Sequence, residues 1–324
     1  MFNCFDSVDN IRKVLLQNSY LVDKKVATTV FLAVKMQKPL LVEGPAGVGK
    51  TYLARALAKS AGCPLIRLQC YPGLDESKAL YEWNYQKQLL YIQSRHESTS
   101  WDKTKTGIYT EEFLLSRPIL KAFLSTDPVV LLIDEIDKSD DELESFLLEA
   151  LSDFQVSIPE LGTVKCINVP IVIITSNNSR DFSDALKRRC LHLHMPYPDR
   201  DREEAIIRMH LKEFSPILAS QIATFLSRIR KMALRKLPGI SETIDWARSL
   251  VALNISKLDR EAVNITLNAL LKYEEDILAV DACLDDILTF QDNNFSNDNL
   301  TAGSDTGEEN KIIIQNEGLS RFDF

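Results

Sequence analysis

The segment that most constrains how this chain can fold is a glycine-rich run that ends in lysine and threonine. It fits the pattern G-x-x-x-x-G-K-[ST] with Gly44-Pro45-Ala46-Gly47-Val48-Gly49-Lys50-Thr51. The apolar run 39–43 before it is typical of a buried strand, and the helix formers of 50–61 follow it. A strand, such a loop and a helix together make a P-loop, in which backbone N–H groups and the helix N-terminus face phosphate. The sequence therefore predicts an α/β fold with a nucleotide site.

The last two residues of the motif predict ATP with Mg²⁺. Lys50 is expected to reach the β- and γ-phosphates, and the Thr51 hydroxyl is expected to ligate Mg²⁺. Residues near 20–24 are expected to recognise the base, but the sequence does not place them. GTP therefore stays open as an alternative nucleotide.

A second motif supplies carboxylates for the same site. The apolar run 131–133 ends in Asp134-Glu135, and in open α/β sheets ligands bind at the carboxyl ends of the strands. We expect Asp134 to hold Mg²⁺ together with Thr51, directly or through water. We expect Glu135 to polarise the attacking water as a general base.

Two further segments carry candidate site residues. Asn177 follows the apolar strand predicted at 170–175, where its amide could orient the attacking water. The basic pair Arg188-Arg189 ends a short helical stretch. An arginine at a subunit edge can reach the γ-phosphate of a neighbouring subunit, and such a finger is typically worth roughly 10³–10⁵ in rate. A solvated basic helix end is the alternative interpretation of that pair.

The order of the predicted elements favours a parallel sheet with helices on both faces. Apolar strand patterns at 39–43, 65–68, 129–133 and 170–175 alternate with helical patterns. Two segments interrupt this order and are predicted as β-hairpin inserts. They are Tyr81–Gln93, rich in aromatic residues, and Phe154–Val169, which has a turn signal at its centre.

The chain divides into three predicted regions. Residues 1–197 form the nucleotide-binding core, and 198–290 show helical spacing throughout and form a second, all-helical domain. Ser241, after the break at 236–239, is predicted to cap a helix of that domain. Residues 291–310 consist largely of Asn, Asp, Ser, Gly and Glu, and 291–324 are predicted to be a disordered tail.

Composition restricts the class of protein. No apolar run reaches the roughly 18 residues of a membrane span, and the amino terminus lacks a secretory pattern. Six dispersed cysteines suit a reducing compartment, so a cytoplasmic protein without a membrane span is expected. The net charge of −8 disfavours a role on nucleic acid, and no nucleic-acid partner is expected.

With these motifs in this order, the chain over roughly residues 20–280 resembles the AAA+ ATPases. The inserts resemble those of the helix-2-insert branch, and within it the MoxR type and its carbon monoxide dehydrogenase accessory subgroup. The segments behind this narrower resemblance are Gly73–Glu76, Leu80–Tyr85, Glu112–Leu114, Arg117–Leu120 and Pro238–Arg248.

The resemblance implies an ATPase that assembles into a homo-hexameric ring with ATP between subunits and a helical lid over each nucleotide. It implies Asn177 as the sensor residue and Arg189, with Arg188 as the alternative, as the finger in trans. It further implies a chaperone that remodels a metalloenzyme client, often to assemble a metal centre, with a partner carrying a von Willebrand factor A domain. A subunit of a nucleic-acid-processing or chelatase-type complex is the alternative function.

One position departs from the family pattern. Many AAA+ lids place an arginine that touches the γ-phosphate near the start of the helix after the Pro-Gly break. Thr243 stands at that position here, and Arg248 lies more than a turn later. Either Arg248 replaces that arginine from another direction, or the lid senses nucleotide without such a contact.

Overall fold

The computed structural model describes residues 2–94, 107–211 and 215–288. The strands of these ranges are β1 (Leu40–Glu43), β2 (Leu65–Gln69), β3 (Tyr81–Trp83), β4 (Leu114–Ser116), β5 (Val130–Asp134), β6 (Gln155–Ile158), β7 (Gly162–Lys165), β8 (Ile171–Ser176) and β9 (Leu191–His194). The helices that precede or accompany them are α1 (Val8–Gln17), α2 (Lys24–Met36), α3 (Lys50–Ala61), α4 (Glu76–Ala79), α5 (Tyr85–Ser94), α6 (Pro118–Phe123), α7 (Asp141–Ser152) and α8 (Asp184–Arg189). The helices that follow are α9 (Arg200–His210), α10 (Pro216–Ile229), α11 (Ile240–Ala252), α12 (Arg260–Leu270) and α13 (Glu274–Ala282), and short 3-10 turns lie at Asn3–Phe5, Glu111–Phe113 and Ile136–Lys138.

The central sheet is parallel, with the strand order β2-β5-β8-β1-β9. β5 and β8 are buried along their whole length. Successive side chains alternate between two cores, so that Leu131 and Ile133 pack on one face while Val130 and Leu132 pack on the other. Burying such a side chain contributes about 1.5–3 kcal/mol. The predicted P-loop α/β fold with helices on both faces is confirmed.

The prediction of two hairpins is half right. β6 and β7 pair antiparallel across a turn that ends at Gly162, whose φ is +80°, as predicted for Phe154–Val169. The prediction for Tyr81–Gln93 is wrong, because β3 pairs with β4 instead and residues 85–94 form α5. Asn84 favours the helix, since its side-chain oxygen accepts the Lys87 N–H at 3.0 Å.

The described residues after 198 form helices joined by loops, with no strand among them, as predicted. Its core centres on Trp246, which is fully buried, packs on Phe225 and donates its indole N–H to Thr266 at 2.8 Å. The prediction that Ser241 caps this helix is wrong: α11 begins at Ile240, and its N-cap is Gly239, two residues before Ser241. Glu242 takes the capping role, since its carboxylate accepts the Gly239 N–H at 3.2 Å.

No helix in the described part of the chain is long and apolar enough to cross a membrane. The predicted disordered tail, 291–324, lies outside the described residues.

Candidate nucleotide site

The loop between β1 and α3 has a backbone that requires glycine. Gly44, Gly47 and Gly49 have φ values of +153°, +79° and +93°. Residues that carry a Cβ rarely adopt such backbone angles. A Cβ on Gly44 would also lie 2.1 Å from the Met195 carbonyl oxygen at the end of β9. The close approach of two chain segments therefore adds a packing reason for glycine at this position.

Lys50 ties the loop to the neighbouring strand. Its ammonium group donates to the carbonyl oxygens of Gly44 and Pro45 at 2.6 and 2.7 Å, and to Asn177 Oδ1 at 2.8 Å. Burial lowers the pKa of Lys50, and the carboxylates of Asp137, Asp134 and Glu135 oppose that shift. The structure thus brings Asn177 from the end of β8 to the P-loop.

Thr51 and Asp134 form a hydroxyl–carboxylate pair at the carboxyl end of the sheet. The Thr51 hydroxyl donates to Asp134 Oδ1 at 2.9 Å, and Thr175 donates to the same oxygen at 2.5 Å. Hydroxyl and carboxylate oxygens are the ligands that Mg²⁺ uses in nucleotide sites, so the donor set fits this ion.

Arg67 on β2 is a site residue that the sequence reasoning missed. Its Nε and Nη2 atoms donate to Asp134 Oδ2 at 3.0 and 2.5 Å. Asp134 is 1% exposed, and a buried carboxylate is costly unless it is paired. Arg67 therefore neutralises the charge of the Asp134 carboxylate by binding Oδ2, the oxygen that Thr51 does not contact.

Glu135 lines the same cleft but is held by different groups. Its φ is +58°, and its N–H donates to the Thr175 hydroxyl at 2.9 Å. Its carboxylate accepts from Gln69 Nε2 at 2.8 Å and from Lys138 Nζ at 2.6 Å. The sequence analysis also missed Gln69, which lies in register with Asp134 on the neighbouring strand. Its position as a polar residue at the end of an apolar strand was a usable signal.

Two adjoining cavities extend from the P-loop. The polar one, about 310 Å³, is bordered by Lys50, Thr51, Asp134, Glu135, Thr175, Asn177 and Ser241. A mostly apolar one of about 110 Å³ adjoins it and shares Gly47, Gly49, Tyr52 and Ser241 with it. Its walls include Tyr20, Leu21, Ile206, His210, Ile240 and Ile244. The sequence analysis named residues near 20–24 for this part of the site but not the wall residues of the helical region, which lie more than 150 positions away.

The helical region touches the P-loop directly. The Ile240 N–H donates to the Gly47 carbonyl oxygen at 2.8 Å, and a Cβ on Gly239 would lie 2.6 Å from Gly47 Cα. Thr243 is buried and donates to Glu203 at 3.0 Å, away from the polar cavity. Arg248 is exposed and pairs with Asp245 at 3.5 Å. Ser241 rather than either of these residues borders the polar cavity.

The arginine pair lies outside this cluster. Arg188 and Arg189 are exposed at the end of α8, and neither borders the polar cavity of its own chain. Arg189 donates to Ser152 on α7 and to the Ala185 carbonyl oxygen. Arg188 makes no hydrogen bond or ion pair with the residues described here. The structure therefore leaves one guanidinium unengaged and the other tethered to α7.

One protein family matches the part of the chain that carries these motifs. The family described as ATPase family associated with various cellular activities (AAA) matches residues 40–197, from β1 to the segment after β9. That range includes every residue of the P-loop and all of the strands β1–β9.

Individual proteins similar to this chain share less than 30% of its residues over the aligned range. Uncharacterized protein YeaC of Bacillus subtilis is 26% identical over 65% of this chain, which spans 61% of YeaC. The human outer mitochondrial transmembrane helix translocase is 29% identical over 54% of this chain, which spans 41% of the translocase. The RuvB Holliday junction branch migration motor of Thermotoga maritima aligns with a TM-score of 0.44 and 17% identity, covering 83% of this chain and 73% of RuvB.

Proposed function

Because residues 40–197 of this chain form an AAA ATPase domain, we propose that it works as a ring-forming, ATP-driven remodelling protein of the MoxR type. ATP hydrolysis is the activity of the family. The observation that carries the proposal is the cleft in which Lys50, Thr51, Asp134, Glu135 and Asn177 converge.

In the proposed chemistry, Lys50 exchanges its carbonyl partners for the β- and γ-phosphates. A lysine with a lowered pKa gains from that exchange, because the phosphates favour its charged form. Thr51 and Asp134 would hold Mg²⁺, which supplies neutralisation of phosphate charge. Glu135 takes a proton from the attacking water, and Asn177, already in contact with Lys50, orients that water.

The apolar cavity is proposed to hold the base. It adjoins the polar cavity at Gly47 and Gly49 of the P-loop, and Tyr20 and Tyr52 give it aromatic walls. Ile206 and Ile244 close it from the helical region. We therefore propose 198–290 as the lid domain and 1–197 as the core domain. Base binding would hold the lid against the P-loop.

The arginine pair is proposed to act in trans within a homo-hexameric ring. The proposal is supported by the exposure of these guanidinium groups and by their position outside the polar cavity of their own chain. In the ring, one of them would stabilise the charge on the neighbouring subunit's γ-phosphate. Arg189 remains the first assignment and Arg188 the alternative, although Arg189 has to release Ser152 to act.

This arrangement predicts complementation between two inactive subunits. Lys50→Ala subunits, and subunits carrying both Arg188→Ala and Arg189→Ala, should each turn over ATP roughly 10³-fold more slowly than wild type. In 1:1 mixed rings about a quarter of the interfaces pair an intact P-loop with intact arginines, because ring contacts are head-to-tail. Phosphate release should therefore recover in the mixture. Single arginine variants in the same assay identify the finger, and a mixture that stays inactive refutes action in trans.

The client proposed is a metalloenzyme, with a von Willebrand factor A domain protein as partner. The segments Leu80–Tyr85 and Pro238–Arg248 support the MoxR type by resemblance. The net charge of −8 favours a protein client over nucleic acid.

The client is tested by a pull-down from the source cells with a tagged Glu135→Gln variant and ATP. The variant should hold clients longest, because it binds ATP without hydrolysing it. Recovery of a metalloenzyme or a von Willebrand A-domain protein, lost when ADP replaces ATP, supports the proposal. Recovery of DNA or a nuclease instead overturns the client assignment and leaves the ATPase assignment intact.

A further inference from the structure

A short loop, 177–183, joins the nucleotide cleft to the helix that carries the arginine pair. It begins at Asn177, which contacts Lys50, and ends at Ser183, the N-cap of α8. The buried carboxylate of Asp137 holds the first half of the loop. It accepts the Asn177 N–H at 3.2 Å and the Ser179 hydroxyl at 2.5 Å.

A second buried carboxylate holds the far end of the loop. The Glu144 side chain on α7 is 6% exposed, and its Oε1 accepts the Ser183 N–H at 2.8 Å. Its other oxygen lies 3.3 Å from a guanidinium nitrogen of Arg180. Ser183 in turn caps α8, since its hydroxyl accepts the Leu186 N–H at 3.3 Å. Glu144 therefore fixes the residue at which α8 begins.

The other end of α8 is also joined to α7. Arg189, the last residue of α8, donates to Ser152, the last residue of α7. Between the two ends, Leu186 is buried against the core that contains Leu143 and Leu147 of α7. A helix of six residues has little stiffness of its own, so these contacts with α7 decide where its arginines lie.

We propose that Glu144 is a positioning residue for ATP hydrolysis in the neighbouring subunit, because it sets the orientation of the arginine-bearing helix α8. This inference rests on the proposed action of the arginine pair in trans. Glu144 touches neither the P-loop nor the polar cavity of its own chain. Its loss therefore lowers turnover through the arginines that its subunit donates and leaves its own site competent.

The test is a complementation assay that separates donor from acceptor. Rings of Glu144→Ala alone should show kcat lowered by about 10²-fold, the cost of a small misplacement of a reacting group, with the KM for ATP changed less than about twofold. Mixed with Lys50→Ala subunits, which donate normal arginines, Glu144→Ala subunits should regain turnover. Mixed with the Arg188→Ala/Arg189→Ala subunits, they should show no recovery above the turnover of Glu144→Ala rings alone, because neither subunit donates a correctly placed arginine.

Matched variants keep the assay decisive. Glu144→Gln retains an oxygen that can accept the Ser183 N–H and should restore most activity, and Glu142→Ala, exposed on the same helix, should match wild type. If Glu144→Ala rings do not assemble, Ser183→Ala, which removes the cap side chain of α8, carries the same test.

Three outcomes would overturn the inference. Recovery with the arginine-deficient subunits but not with Lys50→Ala would place Glu144's effect in its own site. Wild-type turnover of Glu144→Ala would leave it without a role. An inactive control mixture of Lys50→Ala with the arginine-deficient subunits would remove action in trans, and with it the premise.

Discussion

Replacing Glu135 by glutamine is expected to lower kcat for ATP hydrolysis by about 10²–10⁴-fold, the usual contribution of a general base. The amide has nearly the same shape as the carboxylate but takes no proton from water. The groups proposed to bind the nucleotide and Mg²⁺ are expected to keep their contacts, because Gln69 and Lys138, rather than Lys50 or Thr51, hold the Glu135 carboxylate. The Kd for ATP should therefore change less than about twofold. Calorimetry measures this Kd, and a phosphate-release assay measures kcat.

Two controls separate this effect from general damage to the site. Glu142→Gln makes the same change at an exposed position of α7 and should leave kcat unchanged. Asp134→Asn should instead weaken Mg²⁺-dependent binding, because Asp134 accepts the Thr51 hydroxyl at 2.9 Å. Turnover by Glu135→Gln close to wild type would remove Glu135 as the base.

The parts of the site that the sequence predicted are those where a local pattern decides the geometry. β5 and β8 are recognisable because they are apolar throughout and buried on both faces. Since parallel strands end at one edge of the sheet, Asp134 and Asn177 had to lie near the P-loop once the fold was assigned. The contact of Asn177 with Lys50 follows from that placement.

The parts that the sequence did not predict depend on which distant segments become neighbours. Arg67 contacts Asp134 because β2 pairs with β5. The order of the strands in a sheet cannot be predicted from the sequence of any one strand. The apolar cavity needs Ile206 and Ile244 from the helical region. β3 pairs with β4, which lies about 30 residues later in the chain. A short strand pattern does not indicate how far away its partner lies, so β3 was predicted as one arm of a local hairpin.

A buried ion pair holds together the helical region after residue 198, next to the P-loop. Glu203 on α9 is 1% exposed, and its two carboxylate oxygens lie 2.5 and 2.7 Å from the guanidinium of Arg230. Arg230 also donates to the Pro238 carbonyl oxygen at 3.0 Å, and Thr243 donates to Glu203. Pro238 directly precedes Gly239, and the Thr243 hydroxyl also donates to the Gly239 carbonyl oxygen at 3.0 Å. Because Gly239 packs on Gly47, the ion pair holds this part of the helical region at the P-loop.

Glu203→Ala is therefore expected to reduce the free energy of unfolding by about 3–5 kcal/mol, because it leaves the Arg230 guanidinium buried without its carboxylate. Urea unfolding followed by circular dichroism measures this loss. Glu204→Ala, the next residue on α9, is the matched control, since it pairs with two half-exposed arginines. It should cost less than about 1 kcal/mol.

The same variant tests whether the lid contributes to nucleotide binding. If the ion pair holds Gly239 and Ile240 against the P-loop, Glu203→Ala should also raise the KM for ATP under conditions in which the core remains folded. The Ile240 N–H, which donates to the Gly47 carbonyl oxygen at 2.8 Å, is the contact through which that loss would reach the site. Lower stability with an unchanged KM would show instead that the core binds ATP without the lid. Base binding between Tyr20 and the lid would then be wrong.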